Sequence, residues 1–146
     1  MRISVFGLGY VGAVSGICLA EAGHEVIGVD VDAFKVDTIN RGESPIVEEL
    51  VSDITRAAVD SGRLRATTNV GEAVAATDIS WVCVGTPSTE GGGLDSRYVQ
   101  RVCEQIGDAL KDKQDYHLVV VRSTVLPGTV HGVAIPALET YSGKKA

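Results

Sequence analysis

The sequence predicts an α/β fold, a doubly wound parallel sheet with helices on both faces. Three observations support this prediction. Short apolar segments rich in β-branched residues alternate with amphipathic segments of helical length. A glycine-rich turn joins the first apolar segment to the first helix, and an acidic residue closes the second apolar segment. Together they indicate a Rossmann-like fold, in which right-handed crossovers return the chain over one sheet.

The first thirty residues predict a strand, a helix and a second strand. Arg2–Phe6 is short, apolar and bounded by glycine, and Val26–Asp30 is a second run of the same kind, so both are expected to be buried parallel strands. Gly23 is expected to end the helix between them. The apolar stripe predicted for that helix consists of Val11, Val14, Cys18, Leu19 and Ala22.

The remaining elements follow from the same alternation. A glycine-rich stretch at 88–94 predicts a flexible loop, and Asp95 is the expected N-cap of the helix after it. That helix carries an apolar stripe of Tyr98, Val99, Val102, Cys103, Ile106 and Leu110. The other predicted elements are helices over 33–40, 46–61 and 71–76, strands over 62–67, 79–84 and 117–122, and a last helix from near Gly128 to near Tyr141.

Length and composition predict one domain over 1–146. Five strands are predicted where a complete dinucleotide fold has about six, so the sixth strand is expected to be missing after 142–146, and the chain to be part of a longer protein. No apolar run is long enough for a membrane span or a signal peptide, which predicts a soluble cytoplasmic protein without a membrane partner. A formal charge of −6 argues against binding nucleic acid.

The three cysteines predict no metal site. Cys18, Cys83 and Cys103 are far apart and form no CxxC pair, so they are expected to be buried, reduced thiols. The alternative, a catalytic nucleophile, lacks an adjacent base.

The chemistry is concentrated in Gly7-Leu8-Gly9-Tyr10-Val11-Gly12, which lies between a strand and a helix. Gly7 permits a tight turn, Gly9 lets the backbone approach a pyrophosphate, and Gly12 allows close packing of the helix. The anion would lie at the positive end of the helix, beside Tyr10 and Val11. A glycine-rich turn without a ligand is the alternative.

Asp30 indicates which dinucleotide would bind. It closes the second strand, where a carboxylate can accept hydrogen bonds from the adenosine ribose and would repel a 2′-phosphate, so NAD is favoured over NADP. A helix N-cap is the alternative role for Asp30. Lys35 is placed to reach the ribose or phosphate edge, although it could equally be a solvated helix lysine.

Two strand exits should meet at the carboxyl edge of the sheet, where ligands bind in open α/β folds. Thr86 offers a hydroxyl after the fourth strand, unless it belongs to an ordinary turn. The exit of the fifth strand, Arg122–Thr129, supplies three hydroxyl groups and an arginine, and a helix cap would explain Thr129 as well.

Five segments together resemble the UDP-glucose/GDP-mannose dehydrogenase family, over essentially the whole chain. They are the opening through Gly12, Gly28-Val29-Asp30-Val31-Asp32, Ser44-Pro45-Ile46-Val47-Glu48, Val82-Cys83-Val84-Gly85-Thr86-Pro87 and Arg122-Ser123-Thr124-Val125-Leu126-Pro127-Gly128-Thr129. The last segment and residues 142–146 most resemble the bacterial members that oxidise GDP-mannose for alginate synthesis.

The resemblance implies a two-step oxidation of a nucleotide sugar to its uronic acid with two NAD, in a homo-oligomeric parent protein. It implies that Asp30 and Lys35 hold the adenosine ribose, that Thr86 and Glu48 lie near the cofactor or active site, and that Thr124 positions the hydrolytic water. The family's cysteine nucleophile, catalytic lysine and a key glutamate would lie beyond this chain. After Glu48 the family has Pro-Gly-Leu where this chain has Glu49-Leu50-Val51, which puts the turn around Glu48 in question.

Two other functions are consistent with the fold. One is the cofactor domain of a different oxidoreductase, of the 3-hydroxyacid or 6-phosphogluconate dehydrogenase type, although the segments around Thr86 and Thr124 are not expected there. The other is a non-catalytic NAD-sensing module.

Overall fold

The structure, a computed structural model, describes residues 1–46, 51–89 and 91–145. Within them one parallel five-stranded sheet has the order β3-β2-β1-β4-β5. This confirms the predicted doubly wound α/β fold, while the missing sixth strand stays a prediction. The strands are β1 (Arg2–Phe6), β2 (Glu25–Val29), β3 (Leu64–Thr67), β4 (Ile79–Val82) and β5 (Leu118–Val121). The helices are α1 (Tyr10–Glu21), α2 (Ala33–Asn40), α3 (Val51–Asp60), α4 (Val70–Ala76), α5 (Arg97–Leu110), the π-helix α6 (Val130–Ala134) and α7 (Ile135–Ser142).

The core has one apolar layer on each face of the sheet, because successive strand residues point to opposite sides. In β1, Ile3 and Val5 pack into the layer with α1, α2 and α3, whereas Phe6 packs into the layer with α4, α5 and α7. All three side chains are almost completely buried. This two-sided burial is what the mostly apolar composition of the central strands predicts, and their two serines, Ser4 and Ser80, are buried as a pair with their hydroxyl oxygens 2.9 Å apart.

The predicted apolar stripe of α1 is wrong. Val11, Cys18 and Ala22 are exposed, and the buried face instead carries Gly12, Ala13, Gly16, Ile17 and Ala20. Small residues occupy this face because α1 packs close to the sheet and leaves little room for larger side chains. Gly23, with φ of 93°, follows the end of the helix as predicted.

Several predicted boundaries shift. The segment predicted as a helix over 46–61 is helical from Val51 to Asp60, residues 47–50 lying outside those described. The fourth strand ends at Val82 rather than at residue 84, and the fifth runs over 118–121. The last helix begins at Val130 as a π-helix and changes to α at Ile135, next to a proline that cannot donate a helical hydrogen bond.

The loop at 88–94 is a hydrogen-bonded turn in the residues described there. Ser88 and Leu94 form an antiparallel bridge, and the Thr89 N–H donates to the Gly93 carbonyl at 2.7 Å. The prediction of Asp95 as N-cap is wrong by one residue, since Ser96 occupies that position. The Asp95 carboxylate nevertheless accepts the N–H of Arg97 at 3.0 Å.

A polar cluster lies at the amino end of the strands, remote from the predicted site. Lys113 Nζ donates to His117 Nδ1 at 3.0 Å, and His117 Nε2 lies 2.8 Å from Ser80 Oγ, which in turn lies 2.9 Å from Ser4 Oγ. Burial, and then the positive charge of Lys113, lowers the pKa of His117 to about 4. The ring is therefore neutral at pH 7.

No helix among the described residues is both long enough and apolar enough to cross a membrane.

Candidate functional site

The glycine-rich turn connects β1 to α1 at the carboxyl edge of the sheet, and its backbone has the predicted form. Gly7 has φ of 94°, and a Cβ there would lie 3.0 Å from the Cys83 carbonyl oxygen. A Cβ on Gly12 would lie 1.8 Å from the Gly7 carbonyl oxygen, a distance that no side chain tolerates. Both positions therefore require glycine for the path of the chain itself.

Gly9 differs from these two glycines because a Cβ there would meet no atom within 4 Å. Its φ of −73° is ordinary for any residue. The fold alone does not demand glycine here, whereas a ligand lying against the turn would. Open space at the middle glycine is what a pyrophosphate cradle requires.

Helix α1 begins immediately after Gly9 and has no side-chain hydrogen bond capping its amino end. The first turn contains no acidic residue. Tyr10 and Val11, both exposed, stand in that turn. Backbone N–H groups and the helix dipole therefore make this end of α1 attractive to an anion, and the residues present fit a dinucleotide pyrophosphate.

Asp30 lies directly beside the glycine turn. Its Oδ2 accepts the Leu8 N–H at 2.7 Å and its Oδ1 accepts the Asp32 N–H at 3.0 Å. Lys35 Nζ forms an ion pair with Oδ2 at 3.4 Å. Only 8% of the Asp30 side chain is exposed. The N-cap of α2 is Asp32, which accepts the Phe34 N–H, so the helix-cap alternative for Asp30 is wrong.

Lys35 is held by Asp30, which disfavours the alternative that it is an unpaired solvated lysine. Its side chain is 36% exposed. The acid and the lysine thus form one charged pair at the end of β2, next to the turn. That position is where the adenosine ribose of a dinucleotide would lie.

The exits of β4 and β5 meet, as predicted, and two hydroxyl groups join them. Thr86 Oγ1 donates to the Thr124 carbonyl at 2.7 Å, and Ser123 Oγ donates to the Val84 carbonyl at 2.7 Å. The side chain of each exit thus bonds to the backbone of the other. Thr129 occupies the N-cap position of α6 but makes no side-chain cap bond, so the cap explanation for it is wrong.

The thiols are not poised as nucleophiles. Burial raises the pKa of Cys83 and of Cys103 to about 11. Cys18, expected to be buried, is exposed on α1. Within residues 1–46, 51–89 and 91–145, no three histidine, cysteine, aspartate or glutamate side chains are grouped as a metal site would need.

The structure thus brings Gly7, Gly9, Gly12, Asp30 and Lys35 together at one edge of the sheet. Thr86 and Thr124 are joined at the exits of the adjacent strands. Glu48 lies outside the described residues, as do Glu49 and Leu50. Sequence reasoning placed Leu8, Ser123 and Val84 in the motifs of this edge but gave them no partners, because their bonds join distant parts of the chain and only the fold shows them.

Comparison with known proteins gives one family. The model of the "UDP-glucose/GDP-mannose dehydrogenase family, NAD binding domain" matches residues 1–146. GDP-mannose 6-dehydrogenase of Azotobacter vinelandii is 61% identical over 146 residues, which are 100% of this chain and 34% of that protein. UDP-glucose 6-dehydrogenase of Haloferax volcanii is 40% identical, over 99% of this chain and 33% of its own length.

Solved structures agree with the sequence comparison. A ternary complex of GDP-mannose dehydrogenase from Pseudomonas aeruginosa superposes with a TM-score of 0.98 at 55% identity, over 99% of this chain and 33% of that one. A diketoreductase at 17% identity, with a TM-score of 0.62, shares the fold alone. The chain spans about a third of the length of the curated relatives that it matches.

Proposed function

Because the chain belongs to the UDP-glucose/GDP-mannose dehydrogenase family, and its cofactor is NAD, we propose that it is the cofactor domain, over 1–146, of a dehydrogenase that oxidises GDP-mannose to its uronic acid. The observation that carries the proposal is the cradle formed by the glycine turn, the uncapped start of α1 and Asp30. GDP-mannose is preferred to UDP-glucose because identity to a GDP-mannose enzyme reaches 61%, against 40% and 42% for two UDP-glucose enzymes.

Each part of the cradle has a distinct task in this proposal. The turn and the start of α1, with Tyr10 and Val11, hold the pyrophosphate through backbone N–H groups. Asp30 and Lys35 hold the adenosine ribose. NAD supplies the hydride acceptor, and the protein supplies its orientation and the surrounding charge.

The joined exits of β4 and β5 would hold the reacting end of the site. Because the Thr86 hydroxyl already donates its hydrogen to the Thr124 carbonyl, it can interact with a ligand only as a hydrogen-bond acceptor. The same bond fixes the backbone of Thr124, whose hydroxyl we assign to positioning the water consumed in forming the acid. Glu48 is assigned to the active site on the family resemblance.

The surroundings of the parent protein are proposed on the same resemblance. We assign it to the cytoplasm, where NAD chemistry and reduced thiols are the rule, as a homo-oligomer that binds a nucleotide sugar through its other domains. Its product would be a precursor of a uronate polymer such as alginate. The three unpaired thiols of this chain support a reducing compartment.

A domain exchange tests whether this chain can serve as the cofactor domain of such a dehydrogenase. This chain replaces the matching 146 residues of the Azotobacter vinelandii enzyme, and NADH absorbance is followed with GDP-mannose and with UDP-glucose. The exchanged enzyme should oxidise GDP-mannose and form two NADH per sugar. The same exchange carrying Gly9→Val is the control and should be inactive. A folded exchange protein that binds NAD but leaves GDP-mannose unoxidised would contradict the proposal.

The isolated chain supplies the complementary test. It should bind NAD weakly, because the nicotinamide half lacks the wall that a substrate domain provides, and it should turn over neither sugar. Neither buried thiol is ionised near neutral pH, and oxidation to the acid needs a nucleophilic cysteine. Sustained NADH formation by the pure chain would show that it is more than a cofactor domain.

A further inference from the structure

Leu8, the residue between the first two glycines of the turn, points into the protein and not to the surface of the turn. Only 2% of it is exposed, and it belongs to the apolar layer that contains Val5, Ile17 and Val26. A variable position in a glycine-rich motif is thus occupied by a core side chain. The turn is therefore attached to the core by its own middle residue.

The Leu8 side chain packs against Gly28, in the middle of β2. A Cβ on Gly28 would lie 2.8 Å from Leu8 Cδ2 and 3.2 Å from Leu8 Cδ1. Real Cβ atoms do not approach a carbon as closely as the first of these distances, so the missing side chain at Gly28 leaves the notch that Leu8 occupies. The glycine is not required by the backbone, since residue 28 pairs regularly with Val5 and Ala66 in the sheet.

Two hydrogen bonds hold the backbone of the turn to the same strand end. The Gly7 N–H donates to the Val29 carbonyl at 2.7 Å, and the Leu8 N–H donates to Asp30 Oδ2 at 2.7 Å. Backbone bonds fix two atoms of the turn, and the Leu8 side chain supplies a third, non-polar contact with β2. Three contacts that do not lie on one line determine both the position and the tilt of the turn.

We propose that Leu8 and Gly28 are positioning residues for the dinucleotide: the Leu8 side chain, seated in the notch at Gly28, sets the height of the glycine turn above β2. That height decides how closely the turn's backbone approaches the pyrophosphate and where Asp30 meets the ribose. Neither residue touches the cofactor. The proposal deepens the NAD site described above and rests on it.

The test is Gly28→Ala in this chain, with Gly16→Ala as the matched control. Gly16 lies on α1 in the same apolar layer, but a Cβ there would meet Val26 and Val5 at 3.6 and 3.8 Å, which is ordinary contact. Overpacking at Gly28 should lift the turn and weaken NAD binding by about tenfold, while Gly16→Ala leaves the dissociation constant unchanged within about twofold. Both are measured by calorimetry well below the unfolding midpoint.

A double variant separates positioning from general damage. Leu8→Ala removes the carbon atoms that clash, so Gly28→Ala combined with Leu8→Ala should bind NAD more tightly than Gly28→Ala alone. Relief of the clash would restore stability as well, so the affinities are compared under conditions in which urea unfolding shows all the variants to be folded. Equal dissociation constants for Gly28→Ala and Gly16→Ala, or no recovery in the double variant, would overturn the proposal.

Amide hydrogen exchange by NMR gives a readout that does not depend on NAD. Without cofactor, the Leu8 amide should exchange about tenfold faster in Gly28→Ala than in the parent chain and in Gly16→Ala, because its bond to Asp30 is loosened. Unchanged exchange in all variants would refute the attachment of the turn to β2. Faster exchange in Gly28→Ala, in a chain whose parent fails to bind NAD, would instead refute the cofactor site and leave the attachment of the turn to β2 standing.

Discussion

Replacing Asp30 should affect both the fold and the choice of cofactor, and two variants separate the effects. Asp30→Ala leaves the N–H groups of Leu8 and Asp32, bonded at 2.7 and 3.0 Å, without their acceptor. Hydrogen bonds to a charged group contribute about 1.5–3 kcal/mol each. Because the Asp32 amide is exposed and can bond to water, most of the loss falls on Leu8, and unfolding should become easier by about 2–3 kcal/mol.

Asp30→Asn keeps one oxygen for the Leu8 N–H and loses the charge, so it should cost about 1 kcal/mol of stability. NAD affinity should still fall by about 1–3 kcal/mol, because a neutral amide accepts ribose hydrogen bonds more weakly and offers one oxygen instead of two. The preference for NAD over NADP should narrow with it, since the charge that repels a 2′-phosphate has gone.

The assays are calorimetric titration with NAD and with NADP, and urea unfolding of the same samples. Asp32→Asn is the control: it removes the same charge two residues away, where the side chain caps α2 through Phe34. It should leave NAD affinity close to that of the parent chain. Unchanged NAD affinity in folded Asp30→Asn would refute the assignment of this carboxylate to the ribose.

Two further predictions concern the middle glycine and the remote histidine. Gly9→Val should abolish NAD binding measured by calorimetry while leaving the unfolding midpoint nearly unchanged, because a Cβ there meets no protein atom within 4 Å. Gly12→Ala should instead lower the unfolding midpoint, because its Cβ would meet the Gly7 carbonyl oxygen. Normal NAD binding by Gly9→Val would contradict the placement of the pyrophosphate at this turn. His117 has a pKa of about 4 in the folded protein against 6.5 in the unfolded chain, so the folded protein takes up this proton less readily. The neutral ring therefore contributes roughly 3 kcal/mol to the free energy of unfolding above pH 6.5, and this contribution is lost as the pH falls towards 4. Urea unfolding between pH 7 and pH 4 should show this loss of stability in the parent chain and in the His131→Gln control, and a smaller loss in His117→Gln. An equal dependence of the unfolding free energy on pH in all three proteins would contradict the role of His117.

The strands and the glycine turn could be predicted because each depends on a local pattern. A buried central strand needs a mostly apolar run, and a turn with φ of 94° at Gly7 needs glycine. The buried face of α1 could not be predicted in this way. Apolar periodicity favours large side chains such as Val11, whereas a helix close to the sheet places its smallest residues at the contact, here Gly16 among them.

Hydrogen bonds between distant segments could not be predicted from the sequence, for a different reason. The hydroxyl of Thr86 bonds to residue 124, and the amide of Leu8 bonds to residue 30, and each bond depends on the relative height of two strand ends. A sequence pattern places both residues at one edge of the sheet but not within 3 Å of each other. For this reason the motif alone does not show that the side chain and the amide of Leu8 both attach the turn to the end of β2.

The pairing of Asp30 with Lys35 bears on cofactor choice more than either residue alone. An unpaired lysine beside the ribose would attract a 2′-phosphate and favour NADP. Here the lysine ammonium lies 3.4 Å from a carboxylate that is 8% exposed and is itself fixed by two backbone amides. To bind the phosphate, the lysine would have to leave the acid, and the phosphate would then face an uncompensated buried charge. A ribose hydroxyl imposes neither cost, because it donates to the carboxylate and leaves the pair in place. The preference for NAD therefore follows from the ion pair that Asp30 and Lys35 already form before the cofactor binds. The glycine turn contributes to this preference because the Leu8 amide holds the Asp30 carboxylate in place.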